Sequence, residues 1–379
     1  MPEITPLPLA QLTTLRVGGT PRRMIEARTR DEVVAALRDA WADAEPWLAV
    51  GGGSNLLFGD APFDGTVVLV RTSGVERMPS PREGHVRLRV EAGHSWDDLV
   101  AQTVAAGLRG IEAMSGIPGT TGAAPVQNIG AYGQEIVETL VEVELIDEAT
   151  GDVTTVPAAE LGLGLRTSVL KNHYGSVAER SAVILSVTLE LEQVGHGAVP
   201  VTGAQLRTAL GLDETASVSL AEIRETVLAI RARKGMVLDD ADPDTYSAGS
   251  FFQNPVVSAE FADTLPADCP RWPMAAVGSD EDTVIPLDRF DGSLPPRPTG
   301  TPPVKVSAAW LIEHAGMRRG FSLPRSRASL STKHALALTN RGTATAGEVA
   351  ELARLVVQRV QSEFGVLLQP EPVMLGVEL

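Results

Sequence analysis

Apolar residues at Val33, Leu37, Ala40 and Trp41 recur at helical spacing behind Thr29-Arg30-Asp31-Glu32, a capping-box pattern, and predict a helix that starts at residue 30. Trp47 to Val50 then reads as a short buried strand, and Leu56-Leu57-Phe58 as further strand-like residues after a glycine turn. Ser95 with Asp97 and Asp98 opens a second helix that ends near Gly107, between strands at Val67 to Val70 and Val86 to Glu91. Val141, Val143 and Leu145 alternate, Thr150-Gly151-Asp152 turns the chain, and Val183 to Leu191 predicts a long strand. Gln193 to Gly203, with three glycines and a proline, reads as a boundary. Beyond it Ser219 and Glu222 cap a helix carrying Ile223, Val227 and Ile230. Ser307 to His314 and Ala346 to Phe364 predict two more helices, and Val373 to Val377 a final strand. No internal repeat is present. The pattern predicts an α+β chain with a first domain over residues 1–195 and a second over 204–379. Pro266 to Pro303, crowded with Pro, Asp and Gly, is expected to be a surface excursion.

Composition narrows the class. With 379 residues, 44% of them hydrophobic, the chain can bury a sizeable core, which argues against disorder. Its 32 basic and 48 acidic residues give a formal charge of −16, which speaks against a general nucleic-acid or anionic-membrane surface and makes local cations informative. A lone Cys269 excludes an intramolecular disulfide, and His85, His94, His173, His196, His314 and His334 show no close ligand spacing, so no metal is expected. Neither a signal peptide nor a spanning helix is indicated, and a reducing cytoplasm is the expected location.

Two glycine-rich segments carry the first chemical signal. Ser115 to Gly133 (SGIPGTTGAAPVQNIGAYG) holds five glycines, two prolines and no charge. Glycine lets backbone approach a ligand closely, while Pro118 and Pro125 stiffen the path. A flexible linker would carry Ser, Lys or Glu in place of Val126, Ile129 and Tyr132. Gly51-Gly52-Gly53-Ser54-Asn55-Leu56-Leu57 directly follows a strand, an arrangement that can cradle a pyrophosphate on successive N–H groups. It lacks the GxGxxG and P-loop spacings, and a tight hairpin turn explains it equally well.

Leu165-Arg166-Thr167-Ser168, Ala248-Gly249-Ser250-Phe251-Phe252-Gln253-Asn254-Pro255 and Gln369-Pro370-Glu371-Pro372 complete the set. Together with Thr14-Leu15-Arg16-Val17-Gly18-Gly19, Arg231-Ala232-Arg233-Lys234-Gly235 and the glycine loops, their order along nearly the whole chain resembles the UDP-N-acetylenolpyruvoylglucosamine reductase family. That resemblance implies an FAD-binding domain of the PCMH/vanillyl-alcohol-oxidase type followed by a substrate-binding domain, with FAD between them. It implies NADPH as reductant and UDP-N-acetylglucosamine enolpyruvate as substrate, reduced by hydride from flavin N5 to UDP-N-acetylmuramate for bacterial peptidoglycan. Arg166 then stabilises the enolate, Ser250 delivers the proton, and Glu371 is the third catalytic residue. The expected FAD contacts are Gly51, Gly52, Gly53, Ser54, Asn55, Leu56, Ile117, Pro118, Gly119, Gly122, Val126, Asn128, Gly130 and Ile184. Lys234 and Asn254 match positions that bind the nucleotide diphosphate, Arg231 lies one helical turn before Lys234 on the same face, and Tyr132 and His334 are further substrate candidates. Without the resemblance, Arg166 reads as an exposed arginine after a turn and Ser250 as a cap. Tyr132 reads as a core tyrosine and His334 as a surface histidine. A monomer is the favoured state.

The chain departs from the family at three places. Leu165 stands where a tyrosine commonly precedes the catalytic arginine, and Val201-Thr202-Gly203 occupies the stretch where members with an extended substrate loop carry another tyrosine. The only tyrosines are Tyr132, Tyr174 and Tyr246, so neither role passes to a neighbour. Ala309 replaces a frequent glycine before Trp310. A flavoprotein oxidase and a nucleotide-sugar-binding paralogue without turnover are the competing classes. Many oxidases of the first class tether flavin near the first glycine loop through a His or Cys, which Val50 to Leu57 lacks, and the second is opposed by the retention of Arg166, Ser250 and Glu371.

Overall fold

The computed structural model describes residues 3–42, 44–172, 177–201, 203–274 and 301–379. Most of the expected Pro-rich excursion, together with His173, Tyr174 and Thr202, lies outside the described residues. The described flank of that excursion is ordered into a strand, Arg271–Pro273, which pairs with Val304–Val306.

Local signals set the elements. Thr29 and Glu32 exchange side-chain-to-backbone hydrogen bonds ahead of the helix Arg30–Ala42. Ser95 accepts from the Asp98 N–H to open Trp96–Ala105. Full capping boxes open Leu220–Arg233 at Ser219 and Ala346–Phe364 at Thr345. Each cap satisfies N–H groups that a helix start leaves without partners.

Two sheets build the first half. Pro21–Ala27 and Trp47–Val50 both pair in parallel with Phe63–Val70, and Glu3–Ile4 adds an antiparallel edge. A larger antiparallel sheet runs in the order Val153–Pro157, Leu140–Asp147, Ala182–Gln193, His85–Glu91, Val75–Pro79. Val143 opposes Val187, which opposes Val90, and all three are fully buried, so a two-residue period gives that sheet its core face. The buried apolar cluster does not stop at the expected division of 195–204. It continues through Val199, Val201 and Leu206 to Leu220, Ile223 and Val227 of the helix Leu220–Arg233. A second cluster gathers Phe251, Phe252, Leu311, Leu338 and the inner face of Ala346–Phe364, together with Leu15, Val17 and Leu57 from early in the chain. Among the described residues no helix is long and apolar enough to cross a membrane.

Glycine turn and hairpin are decided by pairing. Trp47–Val50 joins the parallel sheet, whereas Leu56–Phe58 pairs in parallel with the C-terminal strand Val373–Leu375. Gly51 to Asn55 therefore hands the chain from one sheet to another, and the hairpin alternative is excluded.

Asp97 ties the helix Leu220–Arg233 to the first half. Its Oδ1 accepts from Arg224 Nη1 at 2.6 Å and from the Gly116 N–H at 2.6 Å, and its Oδ2 accepts from Arg224 Nη2 at 2.9 Å. Burial pushes its carboxyl up, but these hydrogen bonds and the charges of Arg224 and Arg231 outweigh it and hold it below the usual range. A depressed carboxyl contributes stability above its unfolded value of about 3.9 and loses it as pH falls through the folded value. Asp97→Ala is expected to cost about 1–3 kcal/mol in urea unfolding at pH 7, with the gap to the parent chain closing below about pH 4.

Candidate functional site

A cavity of about 570 Å³ opens between the two halves. Its floor is the meeting of the two glycine segments. A Cβ on Gly52 would lie 2.5 Å from the Gly119 Cα, and one on Gly51 would lie 2.1 Å from Thr120 Oγ1. Gly53 has φ +61° and its Cβ would meet the Leu12 carbonyl oxygen at 2.0 Å. These glycines are required because two stretches of backbone pass at contact distance, leaving peptide groups rather than side chains at the cavity edge. Ser54 closes the joint by donating to the Pro118 carbonyl at 2.9 Å.

All six residues from Gly51 to Leu56 line the cavity, as do Ile117, Pro118, Gly119, Gly122, Val126, Gly130 and Ile184. Asn128 does not. It is buried in the left-handed region at φ +45°, donating to Glu135 and to the Gly164 carbonyl and accepting from the Val137 N–H. Its side chain holds the loop that presents the other residues.

Arg166, Ser250 and Glu371 converge on the same cavity. Arg166 sits at φ +54°, unusual for a residue with a Cβ. Its guanidinium donates to the Asn128 carbonyl at 3.0 Å and the Gly130 carbonyl at 2.6 Å, and its Nε lies 3.6 Å from Glu371 Oε1. Two of the five guanidinium N–H groups are thus spent on backbone and the Nε faces Glu371, which fixes the plane and leaves one N–H on each Nη for a ligand. Burial pushes the Glu371 carboxyl above the usual carboxylate range, with Arg166 and Lys171 pulling the other way. Loss of solvent wins, so the neutral acid is favoured more than in water.

Ser250 Oγ lies 3.3 Å from His334 Nε2. Burial, reinforced by the positive charges of Lys234, Arg319 and Arg231, lowers the His334 pKa to about 4, and the ring is neutral near pH 7. His334 is therefore a partner of Ser250, outside the cavity lining. Arg231 does line the cavity, donating through Nη2 to the Gly116 and Met236 carbonyls. Lys234 stands beside it at the helix end, its Nζ 5.9 Å from the ring centroid of Tyr132, a residue also held at positive φ. Neither Lys234 nor Tyr132 reaches the lining, and Asn254 accepts from the Ala308 N–H at 3.0 Å through Oδ1. Leu165, where the family carries tyrosine, is 39% exposed. Sequence reasoning missed Lys171, Gln127 and Arg180, which also line the cavity.

A cleft with glycine backbone on one side and titratable groups opposite suits a flavin-dependent oxidoreductase, the class that comparison with known proteins shows. The model of the FAD binding domain matches residues 21–157, and that of the UDP-N-acetylenolpyruvoylglucosamine reductase C-terminal domain matches residues 242–375. The chain is 52% identical over 389 residues to the UDP-N-acetylenolpyruvoylglucosamine reductase of Leifsonia xyli subsp. xyli, covering 99% of each. It is 49% identical over 371 residues to that of Nocardia farcinica, covering 98% of this chain and 89% of the relative. The solved reductase from Thermus caldophilus shares the fold, with a TM-score of 0.59 at 24% identity over 98% of both chains. The chain belongs to the UDP-N-acetylenolpyruvoylglucosamine reductase family.

The residues present fit FAD. Backbone at the Gly51–Gly53 turn faces the cavity beside Ser54 and Asn55, while Ile117, Val126, Ile129 and Ile184 give apolar walls for a flat ring. The buried Nε of Arg231 has no protein partner and stands at the same cavity. Gly52→Ala is expected to force the two glycine segments apart and to weaken FAD binding at least about tenfold, read by titrating the apoprotein with FAD and following flavin fluorescence. Affinity within twofold of the parent chain would refute the assigned floor.

Proposed function

We propose that this chain reduces UDP-N-acetylglucosamine enolpyruvate to UDP-N-acetylmuramate with NADPH as reductant, a step in bacterial peptidoglycan precursor synthesis. The observation that carries this is the convergence of Arg166, Ser250 and Glu371 on a cavity floored by the two glycine segments. FAD, held noncovalently there, supplies hydride transfer from the nicotinamide to the enolpyruvyl double bond. Among the described residues that line the cavity there is neither histidine nor cysteine, which supports noncovalent attachment over a tethered-flavin oxidase.

The chain's own residues do the rest. Arg166 meets the substrate carboxylate with its remaining N–H groups and holds the negative charge that develops beside it. Preorganised donors of that kind contribute about 3–4 kcal/mol each. Glu371, pushed toward its neutral form, donates a hydrogen bond to the same oxygens without adding a repelling charge. Ser250 delivers the proton to carbon. A hydroxyl is a weak acid, so its position must replace acidity. The neutral His334 ring supplies that position, and its Nε2–H tautomer would donate to Ser250 Oγ and leave the hydroxyl proton aimed into the cavity. Lys234, Arg231 and Asn254 bind the diphosphate end, the first two as local cations in a chain with 16 excess negative charges, and Tyr132 is a further substrate contact.

Ser250→Ala separates the two half-reactions. FAD content and NADPH-driven bleaching of the flavin are expected to stay near those of the parent chain. Reoxidation by the enolpyruvyl substrate is expected to fall at least about 100-fold, within the range of about 10² to 10⁴ for general acid catalysis. Stopped-flow absorbance at the flavin band resolves both. Reoxidation within a few-fold of the parent chain removes Ser250 as the proton donor, and a parent chain whose reduced flavin ignores the substrate removes the proposed reaction.

A further inference from the structure

Lys171 is only 3% exposed, an expensive place for an ammonium group. Its Nζ donates to the Arg166 carbonyl at 3.1 Å and to Gln127 Oε1 at 3.3 Å. Gln127 Oε1 also accepts from Asn55 Nδ2 in the first glycine segment, and Asn55 Nδ2 lies 3.4 Å from the Glu371 carbonyl. One ammonium thus joins the backbone of the left-handed arginine to the cavity floor and, through it, to the segment carrying Glu371. The rest of the short loop is tied down in the same direction. Ser168 donates to the Val126 carbonyl at 2.5 Å and accepts from the Leu170 N–H at 3.1 Å.

A residue at φ +54° with a Cβ is held there by its surroundings. The Arg166 side chain is anchored to the Asn128 and Gly130 carbonyls, and its own carbonyl is anchored by Lys171. Removing the second anchor frees the peptide to relax and swings the guanidinium. We propose that Lys171 is a positioning residue for the substrate half-reaction, its ammonium pinning the Arg166 peptide so that the guanidinium meets the substrate carboxylate. This rests on the assignment of Arg166 to that carboxylate.

Charge as well as contact enters. The charged groups that act on Lys171 are Glu371, from the C-terminal segment, and Arg166, on its own loop, while Gln127 and Asn55 are neutral. Burial lowers the Lys171 pKa to about 8, Glu371 raising it and Arg166 lowering it further. The ammonium is complete below that value and is lost as pH rises through it. Deprotonation removes one of the three N–H donors, weakens the remaining two and takes away a positive charge near the developing enolate. Substrate-driven reoxidation should therefore fall above about pH 8.

The test is reoxidation of NADPH-reduced enzyme by the enolpyruvyl substrate from pH 6 to 10, in the parent chain, Lys171→Met and Lys171→Arg. Lys171→Met is expected to keep FAD and NADPH reduction within a few-fold and to reoxidise about 10- to 100-fold more slowly at pH 7, the scale of loss for a misplaced catalytic group, with no alkaline limb. Lys171→Arg keeps a charge that does not titrate, so it too is expected to lose the limb while holding more of the pH 7 rate. A limb that persists in Lys171→Arg, reoxidation by Lys171→Met within threefold of the parent chain, or loss of FAD by both variants each overturns the proposal. A parent chain that is not reoxidised by substrate at any pH instead overturns the proposed reaction.

Discussion

The site depends on one stretch of backbone pairing at the end of the chain. Residues 369–375 bond on one side to the segment that follows Ser250 and then to the strand that follows the first glycine turn. The Gln253 N–H donates to the Gln369 carbonyl at 3.0 Å and the Glu371 N–H to the Phe251 carbonyl at 2.9 Å. Two residues later the Val373 N–H donates to the Asn55 carbonyl at 3.0 Å, opening the parallel pairing of Val373–Leu375 with Leu56–Phe58. Glu371 thereby stands beside Ser250 and faces Arg166, although these residues are far apart in sequence. Pro370 and Pro372 suit this zipper, because each fixes its own φ and biases the preceding residue toward extended backbone.

The same pairing explains why the two halves share a core. Leu57, in the middle of the strand after the glycine turn, is fully buried in the cluster built by Phe251, Phe252 and the helix Ala346–Phe364. Leu15 and Val17 enter that cluster as well. A chain in which the first half supplies side chains to the second half's core has its cleft geometry set by packing rather than by a linker. Arg16, between those two residues, places its guanidinium 3.6 Å above the ring of Tyr246 and pairs with Asp240, another contact that crosses the halves. The candidate catalytic groups are thus mounted on a junction set by packing, which suits a site that works by positioning.

Much of the fold was legible because its signals are local. Capping boxes at Thr29 and Ser219, the apolar spacing of Ala346–Phe364 and the alternation around Val143 need only a few neighbouring residues to be read, and each became the expected element. What stayed hidden depends on contacts across the chain. The glycine turn after Val50 has the sequence of a hairpin, and only the choice of partners, Phe63–Val70 on one side and Val373–Leu375 on the other, rules that out. Gln193 to Gly203 looks like a domain border because it is rich in glycine, yet the apolar face of Leu220–Arg233 still belongs to the first core. The candidate catalytic residues were found through the order of their motifs, since an arginine after a turn or a serine after glycine carries no message alone.

Lys171 and Asn128 are two residues whose surroundings the sequence does not show. A lysine five residues after the arginine carries no local pattern that shows whether tertiary packing will bury it, and lysines are mostly exposed. The family resemblance makes Asn128 an FAD contact, and its left-handed backbone turns it inward instead. Both residues meet the same arginine: the Asn128 backbone carbonyl accepts from the guanidinium and the Lys171 ammonium donates to the Arg166 carbonyl. Arg166 also keeps an ion pair with Glu371, a carboxyl that burial drives toward neutrality. With two donors spent on backbone and its peptide pinned from behind, the guanidinium has lost most of its freedom before a substrate arrives, and the entropy of ordering it has been met during folding rather than during turnover.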